Sequence, residues 1–339
     1  MKVCPCCFKD QEITQFIITN SKEKSKCGYC SSDSDLLDID ELADFFASLF
    51  SIYKETTDGT PLVQLVQKDW NLFSHEQVKL EQLLTDILVS ISSPFSIFSK
   101  IAYTDEIEEN VAFWNTLKYE LKSKRRFLTD TEQIIDYGWD TFFNVFSTFD
   151  SSVNLFRARI HYNEEQEKPF LSNVMGCPKT AYSEGRANPK GIPYLYLCKD
   201  IETTFYETRA SYLDYISVGL FNVVKPNVLK IVDFTKHLSP FNNATDIIEF
   251  SKGKILRDII SKDLSKPLHR FDSELEYIPT QFICEFIRYF YDVDGIQFLS
   301  SLKKEGVNVV LFSEDKITCN TVELHQISEI NINSLSIPL

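Results

Sequence analysis

Five of the nine cysteines in this 339-residue chain fall within its first thirty residues, and their spacing limits what that end can fold into. Cys4 and Cys7 form one C-x-x-C pair, and Cys27 and Cys30 form a second. Such a pair turns the backbone so that both thiolates aim at one point, and two pairs complete a closed tetrahedral Zn2+ site. Gly28 is expected to supply the left-handed backbone that a knuckle of this kind often needs. Cys6 is the spare thiol, and beside Cys7 it could change which pair binds. Four thiolates leave no open coordination position, so the expected metal is structural and contributes folding energy to a short segment. Cys177, Cys198, Cys284 and Cys319 are dispersed among apolar residues and read as small buried hydrophobes. The odd total and the lack of an export signal after Met1 argue against a disulfide framework and for a cytoplasmic location. The best apolar run, Ile87 to Phe98, is broken by serines and Pro94, so no membrane span is expected.

The length suits two or three domains. With 27 Phe and 15 Tyr the cores can be well filled, whereas 10 Gly disfavour a glycine-rich phosphate loop. Neither a P-loop nor a G-x-G-x-x-G motif is present. A net charge of −14 excludes broad nucleic-acid binding, and it requires any phosphate-bearing ligand to be held by locally placed cations. The dense basic run, Lys122 to Arg126, suits the C-terminal end of an acidic-to-basic helix.

Leu36 to about Thr148 reads as helices. Leu42, Phe45, Phe46, Leu49 and Phe50 mark one helix face between Asp38 and Ile52; Pro61–Phe73 follows the same pattern, and Asp105–Phe127 is the cleanest case. His75 stands alone, and no Arg and His lie a few residues apart on one helix as a HEPN-type ribonuclease would require. After Asp150 the texture changes to short apolar runs separated by turns. Leu155–Ile160 is predicted as a strand with Arg157 and Arg159 on one face. A loop is predicted from Ala181 to Pro193, then a strand from Tyr194 to Cys198, then a helix from Ile201 to about Tyr212 capped by Asp200. A further helix opens at Pro279-Thr280-Gln281, and strands Ile296–Leu299 and Val309–Phe312 join across a turn at Gly306. His161, His237 and His269 lack partners at useful spacing.

Leu155-Phe156-Arg157, Gly185-Arg186-Ala187-Asn188, the Pro193–Tyr196 strand, Glu207, Thr280-Gln281 and Gly295 through Ser300 occur in an order and at spacings that resemble the RES domain, a family named for its Arg, Glu and Ser. The resemblance covers about residues 151–320; one departure is Ala187, where an aromatic often follows the Arg. The cysteine pairs and helices before it are similar to the HEPN-like extension found on some RES proteins. RES domains are similar to ADP-ribosyltransferases. The resemblance therefore implies an α+β chain: a zinc-binding knuckle (1–35), a helical HEPN-like domain (36–150) and an ADP-ribosyltransferase-like α/β RES domain (151–339).

It further implies cleavage of NAD+ at the nicotinamide–ribose bond, by a growth-arresting toxin or defence effector that an antitoxin with a helix-turn-helix domain restrains. The residue types suit that chemistry. Arg157 and Arg186 offer planar bidentate cations to the diphosphate. Glu207 faces a ribosyl cation, Tyr196 stacks on nicotinamide or bonds the ribose, and Ser300 holds a ribose or phosphate oxygen. Glu207, Arg186 and Ser300 form the expected catalytic group. Phosphate or water as acceptor makes a phosphorylase or glycohydrolase, and a macromolecular acceptor makes an ADP-ribosyltransferase. A zinc-containing interaction protein with an inert RES-like domain is the alternative from another class. The sequence is also compatible with a homo-oligomer.

Overall fold

The computed structural model describes residues 1–74, 78–162, 168–177, 184–242, 246–267 and 274–331. His75, His269 and the start of the loop expected from Ala181 lie outside the described residues. In chain order the first elements are β1 (Lys2–Val3), α1 (Gln11–Asn20), β2 (Glu23–Lys26), β3 (Asp33–Asp38), α2 (Ala43–Phe50), β4 (Tyr53–Pro61), α3 (Leu62–Trp70), α4 (Leu80–Ser90), β5 (Lys100–Tyr103) and α5 (Asp105–Ser123). There follow α6 (Thr131–Asp136), α7 (Trp139–Phe142), β6 (Phe146–Phe149), β7 (Leu155–Ile160), β8 (Leu195–Cys198), α8 (Ile201–Glu207), β9 (Tyr215–Val223), β10 (Leu229–Asp233), α9 (Ile247–Ser265), α10 (Ile278–Phe290), β11 (Gly295–Leu299), β12 (Val307–Leu311) and β13 (Ile317–Gln326). The chain is a mixed α+β protein. It divides into two compact units, Met1–Asn115 with His237–Leu256, and Thr116–Lys236 with Arg257–Leu339.

In the first unit β1, β3 and β2 form a small antiparallel sheet beside α1. Asp10 starts α1: its carboxylate accepts the backbone N–H groups of Glu12 and Ile13 at 3.0 and 3.1 Å, and the helix buries Ile13 and Ile17. Phe46, Trp70 and Phe73 are fully or almost fully buried, with the Phe46 and Phe73 rings stacked at 6.3 Å. The region expected to be wholly helical also contains the two-stranded antiparallel sheet of β4 and β5, and β6 lies near its end. Tyr53 to Pro61 carries Tyr53 and three threonines, residues that favour a pleated surface over a helix. The register shifts between Glu55 and Thr60, and there Gly59 comes so close to the other strand that a Cβ would stand 2.6 Å from Ile101 O.

The second unit is built on an eight-stranded sheet in the order β13-β9-β7-β8-β12-β11-β10-β6, antiparallel except between β10 and β11. Strand alternation sorts its side chains. Leu155, Leu195, Leu197, Phe221, Val309 and Leu311 pack on one face, whereas Ala158, Ile216 and Val218 pack on the other with Phe156, Ile201 and Phe205. Pairing is continuous along β7–β9 and along β8–β12, yet β7 meets β8 at the single pair Phe156–Cys198. Past that pair Arg157 and Ala158 stand across an opening from Leu197 and Tyr196.

The strands β7, β8, β11 and β12 have their expected bounds within a residue or two, whereas α3 ends at Trp70 and α5 at Ser123, both short of the expected Phe73 and Phe127. Helix α8 falls short by the most: it stops at Glu207, five residues before Tyr212. The chain leaves it through a reverse turn in which Arg209 N–H donates to Tyr206 O and Ala210 N–H to Phe205 O, both at 3.0 Å. Arg209 holds φ at +53°, the left-handed position that glycine usually fills at a helix end. No helix among the described residues is long and apolar enough to cross a membrane.

Candidate active site and four-thiol cluster

The opening between β7 and β8 leads into a cleft of about 330 Å3, bordered by Arg157, Arg186, Tyr196, Glu207, Ser301 and Asn308 among others. Four sequence-predicted residues therefore meet, although they are far apart in the chain.

Arg157 projects from β7 and is largely buried, and its Nη1 has no hydrogen-bond partner among the described residues. Burial, and then the neighbouring Arg159, bring its pKa down to about 10, which leaves it charged at neutral pH. A buried guanidinium nitrogen without an acceptor is a site for an anionic ligand. Arg159 does not line the cleft: its Nη2 donates to Gly176 O at 2.7 Å.

Arg186 sits on a loop whose shape is fixed from three directions. Gln281 Nε2 donates to the carbonyls of Gly185 and Asn188 at 2.9 and 3.1 Å, and Thr280 Oγ1 donates to Arg186 O at 2.6 Å. Tyr196 Oη donates to Asn188 Oδ1 at 2.7 Å and accepts from Ala187 N–H at 3.1 Å. At Gly185 a Cβ would lie 2.5 Å from Tyr196 Oη, so only glycine fits. Ala187 is fully buried, which explains a small residue where an aromatic was expected. Arg186 Nη1 donates to Leu264 O at 3.0 Å, at the C-terminal and electronegative end of α9. Burial lowers its pKa, while Tyr277 and Glu207 act to raise it.

Tyr196 thus borders the cleft with its ring, whereas its hydroxyl is occupied by the Arg186 loop; burial raises the phenol pKa. Its hydroxyl supports that loop.

Glu207, at the exposed end of α8, accepts two hydrogen bonds on one oxygen. Ser300 Oγ and Asn308 Nδ2 both donate to Oε1 at 2.7 Å. Ser300 therefore holds the carboxylate, and Ser301 is the serine that lines the cleft. Asp200 anchors the start of the helix: its carboxylate accepts Thr203 N–H at 2.8 Å and Thr203 Oγ1–H at 2.6 Å, and pairs with Lys303 at 2.8 Å. Burial opposes ionisation of Asp200, but these partners outweigh it and its pKa falls below the usual value. Sequence reasoning gave no role to Asn308. Its signal was a lone amide in the apolar strand Val307-Asn308-Val309-Val310.

In the first unit Cys4, Cys7, Cys27 and Cys30 are all buried, with their sulfurs within 4.8 Å of one another, so they could hold a metal ion. The Cys4–Cys7, Cys7–Cys27 and Cys4–Cys30 Sγ separations are 3.8, 3.7 and 3.3 Å. A tetrahedron with metal–sulfur bonds of about 2.3 Å has edges of about 3.8 Å, so the four sulfurs fit a thiolate-bound ion. Cys6 is exposed, which removes the ambiguity between it and Cys7. Gly28 does not take the left-handed conformation expected of it; Ser31 does, at φ +63°. Of the dispersed cysteines, Cys198 and Cys284 are buried and Cys177 and Cys319 half-buried.

Residues 154–329 match the model of the RES domain family. The match spans more than half of the chain, and the protein belongs to the RES family. Among solved structures it is similar to a chain of the M. tuberculosis MbcT–MbcA toxin–antitoxin complex, at 13% identity and a TM-score of 0.30, over 52% of this chain and 86% of that one. No curated protein matches the sequence.

Proposed function

We propose that this protein is an NAD+-degrading enzyme that cleaves the nicotinamide–ribose bond as a phosphorylase or glycohydrolase, and that it acts as a growth-arresting toxin or defence effector. The observation that carries the proposal is the pairing, in one cleft, of two arginines with a carboxylate held by Ser300 and Asn308. Arg157 and Arg186 take the diphosphate. Nicotinamide departs neutral with the electrons of the C1′–N bond, so no general acid is needed. Glu207 stabilises the positive charge that develops on the ribose, and an acceptor oxygen then bonds to C1′. Residues 151–339 form the catalytic domain, and 1–150 a zinc-bearing, HEPN-like extension through which an antitoxin or other regulator acts. Zn2+ in the four-thiolate cluster supplies folding energy and no chemistry.

Incubation of the purified protein with NAD+, with and without phosphate, followed by mass spectrometry of the products, tests this. Release of nicotinamide with ADP-ribose or its 1″-phosphate is expected, and absence of release under both conditions rejects the enzyme. The exposure of Glu207 favours a second reading, ADP-ribosyl transfer to a macromolecule. That reading requires labelled protein or nucleic acid in the same experiment.

A further inference from the structure

Oε1 of Glu207 receives both of its hydrogen bonds, and Oε2 accepts none from the described residues. The donor at each contact is fixed by chemistry. Ser300 Oγ already accepts the backbone N–H groups of Leu302 and Lys303 at 3.1 and 3.2 Å, so its proton is available for the carboxylate. The thiol of Cys198 reaches Asn308 Oδ1 at 3.3 Å, and an ionised carboxylate can only accept, so the amide must turn its N–H toward Glu207. Asn308 also lies in the middle of the sheet, paired with Phe298 on β11 and Cys198 on β8, where its position is set by backbone on both sides. Ser300, by contrast, sits at a strand end.

From this geometry we propose that Asn308 is a positioning residue for the reaction: with Ser300 it occupies Oε1 of Glu207 and turns Oε2 toward the sugar. The proposal rests on Glu207 being the group that faces the ribosyl cation. Among the described residues, the other ionisable groups that face Glu207 are Arg186 from the loop and Cys198 from β8, with Tyr277 and Arg209 beside Arg186. Asn308 variants leave all of them in place.

Two readouts test the idea. In steady-state kinetics Asn308→Ala is expected to lower kcat by roughly tenfold with KM for NAD+ within about twofold, because one hydrogen bond to a charged group is lost. Asn308→Leu keeps the branched shape without the donor and is expected to lose kcat to the same extent. Should the alanine variant fail to fold, the leucine variant decides alone: a merely space-filling Asn308 would leave its kcat like that of the wild type and overturn the proposal. The second readout needs no turnover. A crystal structure of the leucine variant should show the Glu207 carboxylate displaced from its wild-type position, and an unmoved carboxylate overturns the proposal. A displaced carboxylate in a protein that releases no nicotinamide even as wild type would support the positioning role and reject the NAD+ reading.

Discussion

The four-thiol cluster and the RES cleft are both assembled from distant stretches of chain, but they are finished differently. In the cluster every sulfur is buried and turned toward the other three. In the cleft, Arg157 keeps a buried guanidinium nitrogen without an acceptor among the described residues. Buried polar groups left unsatisfied cost free energy, and a protein retains them where a ligand completes them. The cluster is closed upon itself and suits a structural role. The cleft is incomplete and suits a substrate.

Removing a metal held by the four thiols should break that contrast most visibly. Chelation, or Cys27→Ser, is expected to abolish cooperative unfolding of the N-terminal segment, since structural zinc in small modules supplies roughly 10–16 kcal/mol. Metal analysis with hydrogen exchange of residues 1–74 checks this, and native-like protection in a metal-free sample would contradict it. Next in size, Glu207→Gln keeps the shape and loses the charge. Nicotinamide release should fall by about 10^2- to 10^3-fold without a change in melting temperature. Arg157→Met should raise KM for NAD+ by about 10- to 100-fold, as expected for losing hydrogen bonds to a charged ligand. An unaffected KM would separate Arg157 from the diphosphate. At Gly185, an added methyl must displace Tyr196 Oη, so Gly185→Ala should cost about 1–3 kcal/mol and disorder the Arg186 loop, readable by denaturant melts. Smallest is Asp200→Ala, which removes a helix cap and should destabilise by about 1 kcal/mol. Because the folded-state pKa of Asp200 is depressed, its contribution is present above the unfolded carboxylate value and is lost as the pH falls through the folded one. The wild type and the Asp200→Ala variant should therefore converge in stability in acid.

Sequence periodicity located β7, β8, α10 and the β11–β12 hairpin because each carries its own alternation or helix pattern. It missed β4 and β5, whose pairing depends on contacts between residues about forty positions apart, and it extended α8 past Glu207 because an arginine in the left-handed position is not a signal that residue types announce. The candidate site was legible as a set of residue types. What residue types could not show is that Tyr196 Oη bonds the Arg186 loop and Ser300 Oγ bonds Glu207.

The sequence alone determined the two C-x-x-C pairs and the motif order of a RES domain, because ligand spacing and strand alternation are local properties of the chain. Only the tertiary structure decided that Cys6 stands apart, that β7 and β8 part after one residue pair, and that Asn308 from the neighbouring strand reaches Glu207. Those outcomes depend on sheet register and on where a helix stops, and both are set by packing between segments that no single stretch of residues contains.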